Sequence, residues 1–535
     1  MLKRFSKYCL ILLAIAIVGC AKRGTITGGA KDTLAPELRF SSPENGTVNF
    51  KGTEIKLYFD EYVKLKNVGK QLIVSPPMSK APEVLPYNAS KYIIVKFKDT
   101  LQKNTTYSLN FGQSIQDNNE GNALPQFKYV FSTGTYIDSL ALSATFKDAI
   151  EQKSPNFVSF MLYEVNEKYT DSTIYKETPR YITNSLDSLK LVKLENLKQG
   201  KYRLIAIQDK NNNNKFDPKT DKIGFKKDFV TLPNDTIYEL NLFKEIIPFK
   251  AVKPSQASGN RALIGYEGNP KDVKFELKKG AETIPFKISR FSGKDSLQIW
   301  FKPMKNDSIT VSVSKDKFDQ KFTLKVKEQK NDTLSFTQDK SGSLPFREKF
   351  KINTSIPIEK IDNSKIKFIR KDSTAVSFTT MYDDFKQQVV FDFEKQPLEK
   401  YSIQLLPGAL TDFYEKQNDT LNYKFETRNT SNYGNLRVVL ENVKRYPIII
   451  ELTDKDGKVL ASEIRTDNSK GNTVEFNLLE ANVFTIRAIY DTNNDGLWTP
   501  GSYLDKRQSE EVIYFPEGVR VNENWDVEQP FNVGK

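Results

Sequence analysis

Two blocks of this chain each occur twice and in the same order, and that duplication limits the folds open to it. Tyr107-Ser108-Leu109-Asn110-Phe111, followed by Asp117 and Phe131-Ser132-Thr133, returns as Tyr401-Ser402-Ile403-Gln404-Leu405, Asp412 and Phe425-Glu426-Thr427. Behind each comes a second pair. Gly200-Lys201-Tyr202-Arg203-Leu204-Ile205-Ala206-Ile207-Gln208-Asp209 is matched by Asn482-Val483-Phe484-Thr485-Ile486-Arg487-Ala488-Ile489-Tyr490-Asp491. The order is A, B, an intervening segment from about Ile246 to Gly342, then A and B again. Such spacing describes modules placed in series. Inside the blocks apolar and polar residues alternate, as in Glu54 to Phe59 and Tyr92 to Phe97. Alternation puts successive side chains on opposite faces of a strand. No long stretch keeps a helical period, and aromatic residues reach 12%, with 36 Phe and 24 Tyr. An all-β chain of tandem sandwiches follows.

The 535 residues contain no histidine and only two cysteines, Cys9 and Cys20. Without histidine the commonest general base and the commonest transition-metal ligand are missing, so Cys–His nucleophilic sites and His-bound zinc are excluded. Lys3, Arg4 and Lys7 precede an apolar run from Tyr8 to Val18 that ends in Gly19-Cys20. A basic start, a short apolar core and small residues at its end describe a secretory leader, and the run is too short to span a bilayer. Ile17-Val18-Gly19-Cys20 resembles a bacterial lipobox, which implies cleavage before Cys20 and lipid on its thiol and new amino group. Residues 1–19 are thus read as leader and 20–36 as lipidated cysteine and tether. With Cys9 removed, no disulfide can form within the mature chain. The net charge of +13 is basic, but export and the scattering of lysines along strands argue against a nucleic-acid partner.

The first A block carries a family resemblance. Pro43-Glu44-Asn45-Gly46, Leu57-Tyr58-Phe59-Asp60-Glu61, Asn104-Thr105-Thr106-Tyr107, Asp117-Asn118-Asn119-Glu120-Gly121-Asn122 and Phe131-Ser132-Thr133-Gly134 resemble the SbsA-type bacterial Ig-like domain over residues 37–135. Residues 343–429 resemble it in degenerate form, lacking Asp-Glu after the opening strand and Gly-Asn after Asp412. Residues 136–245 and 430–535 look like transthyretin- or prealbumin-like sandwiches, and 246–342 reads as an additional sandwich or an elaboration of its neighbours. Lipoproteins of this layout are typical of Bacteroidetes. The resemblance implies spacer and binding modules, rarely catalysts.

Two Asn/Asp loops are the main candidate sites. Asp209, Asn211, Asn213, Lys215, Asp217 and Asp221 form one set; Asp491, Asn493, Asp495, Leu497, Thr499 and Asp505 form the other. Oxygen side chains at alternate positions, with a main-chain carbonyl at the seventh, suit a hard cation, so structural calcium is expected and no catalytic cofactor. Thr220 and Ser502 stand where an EF-hand has its bidentate glutamate, and Asp221 and Asp505 are expected to compensate. The alternative is a pair of polar turns. Asp60-Glu61 and Asp117/Glu120 are read as strand-end and turn residues rather than a glycosidase pair. Asp followed by Ser or Thr and then by Leu, Ile or Thr, at positions 32, 99, 138, 171, 187, 235, 295, 307, 332, 372 and 419, resembles an O-glycosylation acceptor of exported Bacteroidetes proteins.

The expected protein is a non-enzymatic binding or scaffolding lipoprotein of the outer membrane, with an envelope protein as partner. Absence of Asp after Cys20 favours the outer membrane. Lys22, Arg23 and Lys31, with no acidic run, lean toward the periplasmic face, the cell surface staying open. A subunit of a barrel-assembly or secretion complex and a glycan-binding or carbohydrate-active protein are the alternatives. Against the last, the only tryptophans, Trp300, Trp498 and Trp525, form no evident cluster.

Overall fold

A computed structural model describes residues 32–186, 190–469 and 471–534. The leader, Cys20, most of the tether and Asp187 lie outside the described residues. The strands form two compact units: one runs up to Ala141 and takes in Arg180–Leu186 and Lys193–Gln199, and the other holds the rest.

In the first unit, Glu54–Leu65 pairs with Leu38–Ser42 on one side and with Ser90–Lys96 on the other, and Glu83–Leu85 adds a further strand. A second sheet joins Ile73–Ser75, Thr106–Asn110 and Lys128–Ser132. Ile55, Leu57, Phe59, Ile93, Val95, Tyr107, Leu109 and Phe131 form its core. Each such side chain, when fully buried, contributes about 1.5–3 kcal/mol. The two short pieces drawn from the 136–245 segment join this unit through polar anchors that strand alternation does not encode. Ile182 N–H donates to Ser75 Oγ at 3.1 Å, Lys198 Nζ to the Asn104 carbonyl at 2.7 Å, and Lys128 pairs with Glu195.

The repeated residues of the A blocks make the same bonds twice. Tyr107 Oη accepts the N–H of Gln102 at 2.8 Å, and Tyr401 Oη accepts that of Gln396 at 2.7 Å. Thr133 Oγ1 accepts Thr105 N–H at 3.0 Å, as Thr427 Oγ1 accepts Glu399 N–H at 3.1 Å. A tyrosine reaching back to upstream main chain closes the corner of a β-sandwich. The rings also stack on the second aromatic of each block, Tyr107 on Phe131 and Tyr401 on Phe425, both at 5.3 Å.

In the second unit the B segments share strand order. Ser159–Glu164, Gly200–Gln208 and Lys222–Phe225 form one sheet; Ile448–Thr453, Asn482–Tyr490 and Val512–Tyr514 form its counterpart. Each segment also pairs its first and last strands in parallel, Leu140–Asp148 with Ile237–Leu242 and Gly434–Glu441 with Asp526–Asn532. Between them, Arg261–Glu267, Ser296–Phe301 and Phe286–Arg290 face Lys274–Lys279, Asp307–Lys315 and Phe318–Val326 across a core of their own. Trp300 lies outside that core, buried against Ile356 and Phe413, with its Nε1 donating to Ser289 Oγ at 2.9 Å. Among the described residues no helix is long and apolar enough to cross a membrane.

Candidate functional site

Both Asn/Asp loops begin where the long strand of a B segment ends, and in both the opening aspartate accepts the N–H five positions on. Asp209 accepts the N–H groups of Asn211 (3.1 Å) and Asn214 (2.7 Å); Asp491 accepts those of Asn494 (2.7 Å) and Gly496 (2.9 Å). The turns need left-handed backbone, which Asn214 (φ 57°) and Gly496 (φ 73°) supply at equivalent places. Glycine adopts it without a Cβ penalty, and asparagine tolerates it.

A second carboxylate closes each loop. Asp221, fully buried, accepts Lys210 N–H at 3.0 Å, Asp217 N–H at 2.9 Å and the Thr220 hydroxyl at 2.9 Å. In the other loop Glu510 takes this place: it accepts Thr492 N–H and its hydroxyl, and Thr499 N–H at 2.9 Å. The clamped residues stand one and eight positions after the opening aspartate in both cases. Asp505, the expected partner, is exposed on an insertion that separates Thr499 from Glu510. Spacing hid Glu510, because the insertion carries it nineteen positions beyond Asp491, against twelve from Asp209 to Asp221.

Of the remaining predicted ligands, Asn213 accepts Lys215 N–H at 2.9 Å, Asp217 accepts Lys219 N–H at 2.9 Å, and Asp495 accepts Leu497 N–H at 2.8 Å. Asn211 Nδ2 donates to Thr220 at 3.1 Å, and Asn493 Nδ2 donates to Asp495 and Thr499 at 3.0 and 2.9 Å. Among the described residues no three His, Cys, Asp or Glu side chains converge as a metal cluster. A cation here would depend on amide and main-chain oxygens beside at most two carboxylates. Burial, with the charge of Asp221 adding to it, holds Asp209 above its ordinary value despite the opposing N–H of Asn214.

The insertion joins the two B segments. Tyr503, fully buried, sits edge-on to Phe225 at 5.2 Å and to Tyr175 at 6.4 Å, with its hydroxyl 2.9 Å from that of Tyr169. Its N–H donates to Glu245, Lys506 pairs with Asp171 at 2.5 Å, and Gln508 Nε2 donates to the Phe225 carbonyl at 3.0 Å. At Gly501 a Cβ would lie 2.3 Å from Phe243, so the close approach requires glycine. Farther along the interface Arg487 pairs with Glu451 at 2.6 Å and donates to the Ile150 carbonyl at 3.1 Å.

Residues 32–133 match the bacterial Ig-like domain family. No match is found among curated proteins. Solved structures similar to this chain include a chimeric titin Z1Z2 tandem, 11% identical over 34% of this chain and 95% of that one with a TM-score of 0.16. The surface-layer protein SbsC, domains 1–6, is 11% identical over 91% of this chain and 67% of that one, with a TM-score of 0.15. Within the bacterial Ig-like domain, Asp117 is a turn staple: its carboxylate accepts the N–H groups of Asn119, Glu120, Gly121 and Asn122. Burial raises its pKa, but these four donors prevail and hold it low. Asp412, at the repeated position, has only Tyr414 and Lys416 as donors, and burial keeps it high. Asp60 pairs with Arg39 at 3.7 Å and caps Glu37 N–H at 2.9 Å. Glu61 is raised by burial and then by Asp117, Asp60, Asp32 and Glu120. Of the Asp-Ser/Thr hydroxyl residues that are described, Ser296 is half-buried and the others are exposed.

Proposed function

We propose that this chain is a lipid-anchored, non-catalytic scaffolding and binding protein of the outer membrane, working with an envelope protein partner. One observation carries the reading. The polar constellations are consumed in folding: Asp209, Asp221, Asp491, Glu510 and Asp117 each bind main-chain N–H groups. A carboxylate whose oxygens are taken up by backbone donors is committed to holding its turn. The insertion then fastens one B segment to the other, so binding loops sit on a braced support.

The carbohydrate reading is weakened by the tryptophans. Trp300 is internal, and Trp498 is half-buried with Nε1 donating to the Glu510 carbonyl at 3.3 Å. Trp525 alone is exposed, too little for a stacking platform. Membership of a larger envelope complex fits the scaffold equally and differs only in the partner. Affinity purification from native membranes, followed by partner identification and intact mass, tests the proposal. The expected mass exceeds that of residues 20–535 by the lipid on Cys20 and by glycans on exposed Asp-Ser/Thr positions. A full-length unmodified mass would overturn the anchor, and a bare lipid increment would remove the glycans.

A further inference from the structure

The bacterial Ig-like domain leaves large apolar side chains uncovered near its point of attachment. Phe40, Tyr58 and Tyr92 stand opposite one another on three adjacent strands. Phe40 stacks on Tyr58 at 4.3 Å and Tyr58 meets Tyr92 at 6.2 Å. Phe40 is 58% exposed, Tyr92 42%, Tyr62 57% and Leu34 73%. The entering chain is fastened beside them. Asn122 Nδ2 donates to the Asp32 carbonyl at 3.0 Å, Asp60 N–H to the Glu37 carbonyl at 3.2 Å, and Asn118 N–H to the Tyr62 carbonyl at 2.9 Å.

We propose that this aromatic row rests on the bilayer interface, a reading that depends on the anchoring proposed above. Eleven residues separate Cys20 from Asp32, where the entering chain is first fastened, and fully extended they span at most about 40 Å. Confinement within that reach corresponds to an effective concentration on the order of a few millimolar. A weak surface contact is then enough. Amphipathic aromatic side chains favour the headgroup level of a membrane. The charges on this face are largely paired, Arg39 with Asp60 at 3.7 Å, Lys56 with Glu54 at 3.4 Å and Lys98 with Glu83 at 3.3 Å. The contact is therefore apolar in origin and insensitive to salt.

The test separates the contact from the anchor. The mature chain with Cys20→Ala and an N-terminal hexahistidine tag is held on phosphatidylcholine vesicles containing nickel-chelating lipid. Because the chain then has no cysteine, Lys56→Cys takes one environment-sensitive fluorophore. The expected result is a blue shift and several-fold quenching by brominated lipid, unchanged in high salt. Both should vanish with Phe40→Ser and Tyr92→Ser, whose exposed positions leave the core intact, as near-ultraviolet circular dichroism would verify. A fluorophore at Lys103, at an exposed turn, should stay in water. If the Lys56 label reports the same environment on vesicles as in solution, or if the double substitution leaves its quenching intact, the proposal fails. Lipidation of Cys20 is read independently by intact mass.

Discussion

Replacing Tyr503 with alanine is expected to destabilise the second unit by about 3–5 kcal/mol, the range for removing a buried aromatic ring. The ring is fully buried among Phe225, Tyr175 and Tyr169, residues that belong to the other B segment. Its loss empties a contact that joins segments far apart in sequence, so the effect reaches beyond local packing. The denaturant slope for the B segments should fall as their unfolding separates into two steps, since less surface is exposed in each. Tyr503→Phe keeps the ring and gives up the bond to Tyr169, costing about 1–1.5 kcal/mol with the slope unchanged. Urea unfolding followed by far-ultraviolet circular dichroism, to which the strands of both B segments contribute, measures both. A Tyr503→Ala chain with the wild-type midpoint and slope would show that the insertion does not brace the two segments.

How much of this was legible in the sequence depends on the distance over which each feature is encoded. Alternation gave the strands and the all-β class, because period two is a local property of the chain. The repeated Tyr and Thr of the A blocks were visible as a pattern, and their shared bonds to Gln102 and Gln396 explain why those residue types recur. Asp117 was read as a turn residue, and it holds four turn N–H groups. The partners of the loops were less legible. Asp221, expected as a calcium ligand, lies in the loop because a short turn keeps it near Asp209, and its clamping of Lys210 and Asp217 had no sequence signal, whereas the insertion displaced Glu510 out of any regular spacing. Tyr503 had no signal at all: an aromatic residue in a polar stretch acquires meaning only when a remote module offers Phe225 and Glu245. The transfer of Arg180–Leu186 and Lys193–Gln199 to the first unit likewise rests on side-chain anchors, such as Lys198 to Asn104, that leave no periodic trace.

The loop clamps give the second large effect. Asp221→Ala strands the N–H groups of Lys210 and Asp217, and Glu510→Ala strands those of Thr492 and Thr499. Lys210 and Thr492 are exposed and Asp217 and Thr499 half-buried, so water replaces part of each lost bond and each substitution should cost about 1–2 kcal/mol. Asp505→Ala, at an exposed position, should change stability by less than about 0.5 kcal/mol. The reverse ranking in urea unfolding would return the closing role to Asp505. Calcium enters through the same measurement. If the loops take the ion, calcium at about 100 times its dissociation constant should raise the stability of the chelated protein by roughly 2.7 kcal/mol, with heat in a titration. No heat and no shift would leave them as polar turns. The pH dependence adds a sign. Burial, and then Asp221, raise Asp209 above its ordinary 3.8, so the folded chain holds this proton more tightly than the unfolded one. The linked stability is complete below 3.8 and is lost as pH rises through the raised value. A bound cation holds the carboxylate charged, so calcium should flatten that loss, and Asp209→Asn should abolish it with or without the ion.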